Sequence, residues 1–492
     1  MITIISIKPL IAILVSLLVI PILASSRKPN VREAWTFAAA LIKFGIIASM
    51  VPAVLAGHTL ELTIVPFFEG IDFKLRVDAF GLLFALVSSF LWIVTSAYSI
   101  GYMRGLDEHS QTRYFCFFAA ALSATVGVAF SANLLTMYIF YEILSLSTYP
   151  LVTHHQDPEA RSSGRKYLLY IMGGSIGLVL PAMVAVYLMT GTLDFASGGI
   201  FSGGLAFAQA LPLLLMFVFG FSKAAVMPMH AWLPAAMVAP TPVSALLHAV
   251  AVVKVGVFCV FRVITGLFGP DLLQALDFGT LLCVIAAITI LVSSLIALSQ
   301  DNLKRRLAFS TIGQLSYIVL GAALLSKSGM TGGMLHIAMH AFGKITLFFC
   351  AGAIVVATGI KNISEMVGIG KQMPLTMAAF FIGSLSVIGL PPCGGFISKW
   401  HLAIGTIEAE QFTMLAVLLI SSLLNAAYFL PIVYRAFFCT EAESMFENQF
   451  KEAPGWCLAP LLATAVISVL LFFYPQPFLT LSQLAVSRIL GG

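Results

Sequence analysis

LLCVIAAITILVSSLIA, residues 281–297, holds no charged side chain, no glycine and no proline. About 18 apolar residues in a helix suffice to cross the hydrocarbon of a bilayer. The runs 458–473 and 79–94 read the same way, and such runs recur along all 492 residues. The solvent that these runs match is lipid. Composition agrees, with 60% hydrophobic and 10% charged residues against roughly 45–50% and 25% in soluble domains.

The same numbers exclude several functions. A formal charge of +5 spread over short loops makes no basic stripe with interleaved aromatics, so nucleic-acid binding is unsupported. The seven cysteines (116, 259, 283, 350, 393, 439 and 457) form no C-x-x-C pair, so they read as small apolar fillers rather than zinc or iron–sulfur ligands. No phosphate-binding or dinucleotide fingerprint occurs, which leaves an ion gradient or a partner subunit as the energy source. Neither a cofactor nor a metal is expected. The apolar run after Lys8 imitates a signal peptide, but its length and the following Arg27, Lys28 and Arg32 fit a first transmembrane helix with a cytoplasmic flank.

The chain reads as an all-α polytopic membrane protein of about fourteen spans: 8–25, 35–56, 79–100, 114–131, 134–152, 167–190, 209–229, 243–263, 278–299, 307–325, 332–358, 374–407, 412–434 and 456–474. With the Arg27–Arg32 loop inside, about fifteen basic residues fall in inside loops. Only Lys8, Lys74, Arg76, Lys327 and Arg488 fall outside. That bias places both termini outside. Six basic residues, Lys43, Lys223, Lys254, Arg262, Lys344 and Lys399, lie within spans, joined by a single acid, Glu142. An ionisable group in a bilayer costs at least ~2.5–3.5 kcal/mol, so these groups are expected to face a hydrated interior and carry function. Arg262, at a helix end, and Lys43, about eight residues in, can instead snorkel to headgroups.

Two spans are interrupted, one by Pro228, Pro234, Pro240 and Pro242, the other by Gly389, Pro391, Pro392, Gly394 and Gly395. Each holds one lysine, Lys223 or Lys399, 176 positions apart. Glu142 pairs with Gln314 and Lys254 with Asn425 at similar offsets. Paired interrupted segments point to an inverted-repeat transporter. The expected organisation is a three-helix segment 1–113, a five-helix repeat 114–263, an inverted repeat 278–434, and a C-terminal loop and last helix 435–492.

Around the first interruption the chain reads SKAAVMPMHAWLPAAMVAPTPVSALLHA from Ser222. This resembles the segment shared by the proton-pumping antiporter-like subunits of respiratory complex I and by Mrp-type cation/proton antiporter subunits. NLLTMYIFYEILSLSTYPLV from Asn133, DNLKRRLAFSTIGQLSY from Asp301, HIAMHAFGKITLFFCAG from His336 and LPPCGGFISKW from Leu390 resemble further helices of that family, so the likeness runs from about 80 to 435. Ala235 and Val238 depart from positions that are often acidic or polar in relatives. The chain also ends soon after the fourteenth span, which resembles the shorter complex I types or the Mrp D subunit.

The resemblance implies that Glu142 and Lys223 interact in a first half-channel, that His248 and Lys254 lie midway, that His336, His340 and Lys344 bridge the halves, and that Lys399 ends the path. It implies a proton-translocating subunit of a hetero-oligomeric complex in a bacterial or archaeal cell membrane. The complex would exchange Na⁺ or K⁺ for protons; alternatively, it would serve a quinone or ferredoxin oxidoreductase, a membrane hydrogenase or a CO₂-hydrating complex.

Residue chemistry fits, since burial disfavours a lysine's charge and lets its proton leave. The rival reading of Glu142 with Lys223 is a static ion pair. For His248 it is a core histidine bonded to a carbonyl. His336, His340 and Lys344 recur every four residues on one helix face and suit a relay; a metal at the two histidines would lack a third ligand. His230 and His401 flank the interruptions, where a helix-terminus role competes. Lys304, Arg305 and Arg306 read as a cytoplasmic anchor and nothing more.

Overall fold

A backbone in hydrocarbon must satisfy its own N–H and C=O groups, which favours helices throughout. The computed structural model describes residues 2–68, 70–201, 204–439 and 451–491, so residues 440–450 of the expected C-terminal loop lie outside the described residues. Among the described residues nine helices are long and apolar enough to cross a membrane: Lys8–Ser25, Pro29–Leu55, Ala79–Gly105, Gln111–Ala129, Pro158–Thr190, Phe278–Ser299, Lys327–Thr358, Phe412–Phe438 and Gly455–Phe473. All nine fall on expected spans. Leu134–Val152 and Leu303–Ala323 are equally long but more polar, carrying Glu142 in one and Lys304, Arg305, Arg306 and Gln314 in the other. Phe207–Gly220 and Pro374–Ile388 are apolar and shorter, because each runs into an interruption. The remaining expected span is subdivided at Ala251 into a turn Leu246–Val250 and a helix Val252–Arg262.

Large apolar side chains point outward on these helices. Leu188 is 78% exposed and Leu423 71%, which would be a liability in water and is a lipid-facing surface in a bilayer. Inside, the long Lys327–Thr358 helix is buried over most of its length. It packs against Leu303–Ala323, Pro374–Ile388, Gly394–Glu408 and Gly455–Phe473.

One feature departs from the all-helical expectation. Residues Thr3–Ile5 (β1), Thr59–Phe68 (β2) and Ile71–Val77 (β3) form a three-stranded sheet, β1 parallel and β3 antiparallel to β2. Its signal was the period-two run Ile71, Phe73, Leu75, Val77, which sits in a loop by hydropathy alone. Glu61 on β2 pairs with Lys74 at 2.8 Å and Arg76 at 2.6 Å on β3. Burial alone would raise the Glu61 carboxyl, but the hydrogen bond from Lys74 and the charge of Arg76 hold it below the usual range. Two membrane-length helices separate β1 from β2, which returns the chain to the same end of the molecule.

Local devices recur along the chain. Asn133 and Asn302, 169 positions apart, each cap the next helix through a side-chain oxygen. Each also joins an isolated antiparallel bridge, Asn133 to Asp194 and Asn302 to Asn362. Asp157 and Ser326, again 169 apart, cap the helices that follow. A side-chain cap typically contributes about 1 kcal/mol.

The Val252–Arg262 helix touches the first interruption through a glycine. A Cβ on Gly256 would stand 2.0 Å from the Ala224 nitrogen and 2.2 Å from the Lys223 carbonyl carbon. Gly256→Ala is therefore expected to destabilise the protein by about 1–3 kcal/mol through overpacking. Gly45→Ala, which meets nothing within 4 Å, should stabilise it by about 0.5–1 kcal/mol. Thermal unfolding of the detergent-solubilised protein reads both signs.

Candidate functional site

The first interruption follows Gly220. A short turn, Ser222–Ala224, carries Lys223. Trp232 Nε1 donates to the Ser222 carbonyl at 3.0 Å, and Ser222 Oγ donates to the Tyr170 carbonyl at 2.9 Å. These bonds replace the helical ladder that Pro228 and Pro234 cannot continue. Lys223 is fully buried. Its Nζ donates to the Tyr141 carbonyl at 2.7 Å and to Ser145 Oγ at 2.6 Å, and it lies 3.2 Å from the Tyr141 ring centroid. Tyr141 and Ser145 are i and i+4 on one face of their helix, whereas Glu142 is rotated about 100° from Tyr141. Both Glu142 carboxylate oxygens are buried without a hydrogen-bond partner among the described residues. No ion pair joins Glu142 to Lys223 among the described residues. The two are neighbours through Tyr141.

The second interruption follows Ile388, where Gly389 turns the chain at φ +89°. The helix resumes at Gly394. Pro391 and Pro392 lie in the gap, and Lys399 reaches back across it. Its Nζ donates to the Ile388 carbonyl, left free by the helix end, at 2.9 Å and to Ser422 Oγ at 3.2 Å. It lies 4.7 Å from the Tyr317 ring centroid. Each lysine thus sits over the tyrosine 82 positions before it, and each is held by one carbonyl and one hydroxyl.

Between the interruptions lies a buried polar line. Lys254 Nζ is 2.8 Å from His340 Nδ1. The His340 and His336 rings stack at 5.6 Å, as expected from residues one turn apart. His336 Nδ1 meets Ser398 Oγ at 2.8 Å and its Nε2 meets Gln314 Oε1 at 3.1 Å. The line ends beside Lys399. Lys344, one turn beyond His340, has no hydrogen-bond partner for its Nζ and lies 5.5 Å from the Phe429 ring centroid. The His248 side chain lies outside the described residues. Asn425, paired with Lys254 by offset, accepts from Tyr428.

Three expectations need correction. Lys43 does not snorkel: it is fully buried and donates to Ser16 Oγ at 2.7 Å and the Leu122 carbonyl at 2.6 Å. Arg262 does not snorkel either, because both its terminal nitrogens meet the Asp78 carboxylate at 2.6 Å. Asp78 lies one residue before a span, so a search inside spans passes over it. Lys304 is more than an anchor: its Nζ donates to the Ala239 carbonyl at 2.5 Å, clamping the end of the first interruption. It borders a cavity of about 730 Å³ that His230, Lys166 and Lys361 also line. His401, by contrast, bonds only the Ile397 carbonyl of its own helix.

The family model described as NADH:quinone oxidoreductase/Mrp antiporter, TM, matches residues 131–425, a span that holds both interruptions and the polar line. The chain is 35% identical over 378 residues to NADH-quinone oxidoreductase subunit N of Desulforudis audaxviator, covering 75% of this chain and 73% of that protein. It is 31% identical over 435 residues to a Na(+)/H(+) antiporter subunit of Alkalihalophilus pseudofirmus, covering 82% of this chain but 53% of that protein. A chain of the Mrp complex from Dietzia sp. superposes with a TM-score of 0.85 at 22% identity, over 98% of this chain and 97% of that chain. The last likeness is one of fold.

Stability separates the two kinds of buried cation. Lys344→Met removes no hydrogen bond and is expected to leave unfolding unchanged or to raise its midpoint, as apolar replacement of a buried charge often does. Arg262→Met strands Asp78 and is expected to cost about 3 kcal/mol, the low end for buried pairs, since the side chains keep 11% and 21% exposure.

Proposed function

The chain belongs to the NADH:quinone oxidoreductase/Mrp antiporter transmembrane family, and from that premise we propose that it moves protons across a bacterial or archaeal cell membrane as one subunit of a hetero-oligomeric complex, in Mrp-type exchange for Na⁺ or K⁺. The observation that carries the reading is the buried row Lys254, His340, His336, Ser398, two hydrogen-bonded pairs joined by stacked imidazoles, between two interrupted helices that each hold a buried lysine. Both termini are assigned to the outside by the basic residues of the loops. Residues 114–263 and 278–434 are assigned as repeats. An odd number of helices in each makes them inverted, and the matched caps and bridges support the assignment.

The local chemistry suits a carrier that must let go. Lys223 and Lys399 are held by neutral oxygens, which accept from an ammonium without trapping it as a carboxylate ion pair would. Loss of the proton leaves an amine that still fits among the same groups. Glu142, the residue next to Tyr141, is the acid beside this site and is assigned as its switch. Its movement or change of protonation hands the Lys223 proton on toward Lys254 and the histidine pair. Moving one charge across the membrane is worth ~2.3 kcal/mol per 100 mV, a driving force large enough to reset such a balance.

A second reading keeps the same path but drives it from a redox partner. The 35% identity to a quinone oxidoreductase subunit favours it. Everted vesicles carrying the assembled complex separate the two. Antiport predicts that Na⁺ or K⁺ collapses a preformed pH gradient without an electron donor, whereas the second reading predicts that proton movement requires the donor.

Under either drive, Glu142→Ala and Lys223→Ala should abolish proton movement at normal membrane abundance, and Glu142→Asp should retain part of it. Lys344→Met should lower the rate at least about tenfold while keeping stability, a loss of at least ~1.4 kcal/mol in barrier terms. Full proton movement in Lys223→Ala would overturn the carrier role.

A further inference from the structure

The helix Ala79–Gly105 runs to one end of the molecule, Gln111–Ala129 returns, and Leu134–Val152 runs to that end again. Their connections therefore meet. They bring together Glu108 and His109 from one loop with His154 and His155 from the other, residues about 45 positions apart. One ligand atom each from Glu108, His109 and His154 lie within 4.8 Å of one another.

The spacing within this cluster is informative. Glu108 Oε2 stands 4.0 Å from His109 Nδ1, 3.8 Å from His154 Nε2 and 3.7 Å from His155 Nδ1. These separations are too long for hydrogen bonds, whose N–H···O distance is about 2.7–3.2 Å. They approach the roughly 3.3 Å between neighbouring ligand atoms held about 2.0–2.1 Å from one tetrahedral ion. A second observation is independent. His154 has no solvent exposure, and beyond a contact with the His109 backbone its ring nitrogens meet no hydrogen-bond partner among the described residues. A buried polar group ordinarily finds one. Its carbonyl is fixed by Arg113 Nη2 at 2.8 Å, so the ring is aimed at the Glu108 carboxylate by a braced loop. His109 and His155 keep 50% and 33% side-chain exposure and are free to close on an ion.

We propose that Glu108, His109 and His154 bind a divalent transition-metal ion of the zinc class, with His154 as the fixed ligand and His155 beside the site, 3.7 Å from the Glu108 carboxylate. Imidazole nitrogen and carboxylate oxygen are the ligands that such ions take with tetrahedral geometry. His155 also lines the 730 Å³ cavity beside the first interruption, so the ion would sit at the cavity wall. The cluster shares no residue with the polar line, so the proposal stands apart from the reading of proton movement.

The test uses the full-length protein in detergent and Zn²⁺ alone as the probe. Competition against a chromophoric chelator should give one tight ion per chain, with a shell of nitrogen and oxygen at about 2.0 Å by X-ray absorption. His154→Gln and Glu108→Gln should each weaken binding at least about tenfold, while His58→Gln, remote in the sequence, should change nothing. If His154→Gln fails to fold, Glu108→Gln at a partly exposed position decides. Wild-type affinity in the folded variant, or no tight ion in the unmodified protein, overturns the proposal.

Discussion

A charge in a low-dielectric interior must be answered by oriented dipoles, by an opposite charge or by leaving, and the structure is arranged around which answer each lysine receives. Arg262 has a carboxylate at 2.6 Å and is fixed. Lys43, Lys223 and Lys399 have a carbonyl and a hydroxyl each. Lys344 has an aromatic face and no hydrogen bond. The gradation is one of partner, and for Lys399 the partner is set by backbone geometry. The carbonyl that holds Lys399 is available only because the helix stops at Ile388, so the interruption and the cation site are one construction.

The reason for two interrupted helices then becomes local. An intact helix can share a carbonyl with a buried ammonium, as Tyr141 and Leu122 do for Lys223 and Lys43, whereas a helix end offers one that has no helical partner. Opening one turn exposes carbonyls but requires substitutes for the lost bonds. At the first interruption Trp232 supplies one and Lys304 another, and Gly256 lets the neighbouring helix press against the opened backbone. The breaks are thus tightly packed, a fixed geometry rather than a flexible hinge.

How much of this was legible in the sequence follows from the range of each interaction. The spans were legible because twenty apolar residues in a row are a local signal, and so were the breaks, since proline and glycine act on their own backbone. The stripe His336, His340, Lys344 was legible from helical period alone. The direct partners were not. Whether Lys223 meets Glu142 or the adjacent Tyr141 carbonyl depends on a rotation of one residue about a helix in contact with a non-helical turn, which no spacing encodes. The sheet was missed because its period-two run competes with hydropathy in a short loop. Depth alone suggests snorkelling for Lys43 and Arg262, whereas their partners Ser16, Leu122 and Asp78 are brought in from distant parts of the chain.

The same limit explains why the histidine cluster escapes a linear reading while the polar line does not. Ligands on one helix announce themselves by spacing, but Glu108, His109, His154 and His155 lie on two loops that meet only after three helices have packed. Both the cluster and the clamp at Lys304 touch the cavity beside the first interruption. Polar residues missed by reading along the chain therefore gather where connections between spans converge. Connections are free of the demand that lipid makes on the spans, so chemistry there is recorded in tertiary contacts and in no local pattern. For a membrane protein of this kind, buried charge in a span can be located from sequence, whereas its partner is found only from the packing that surrounds it.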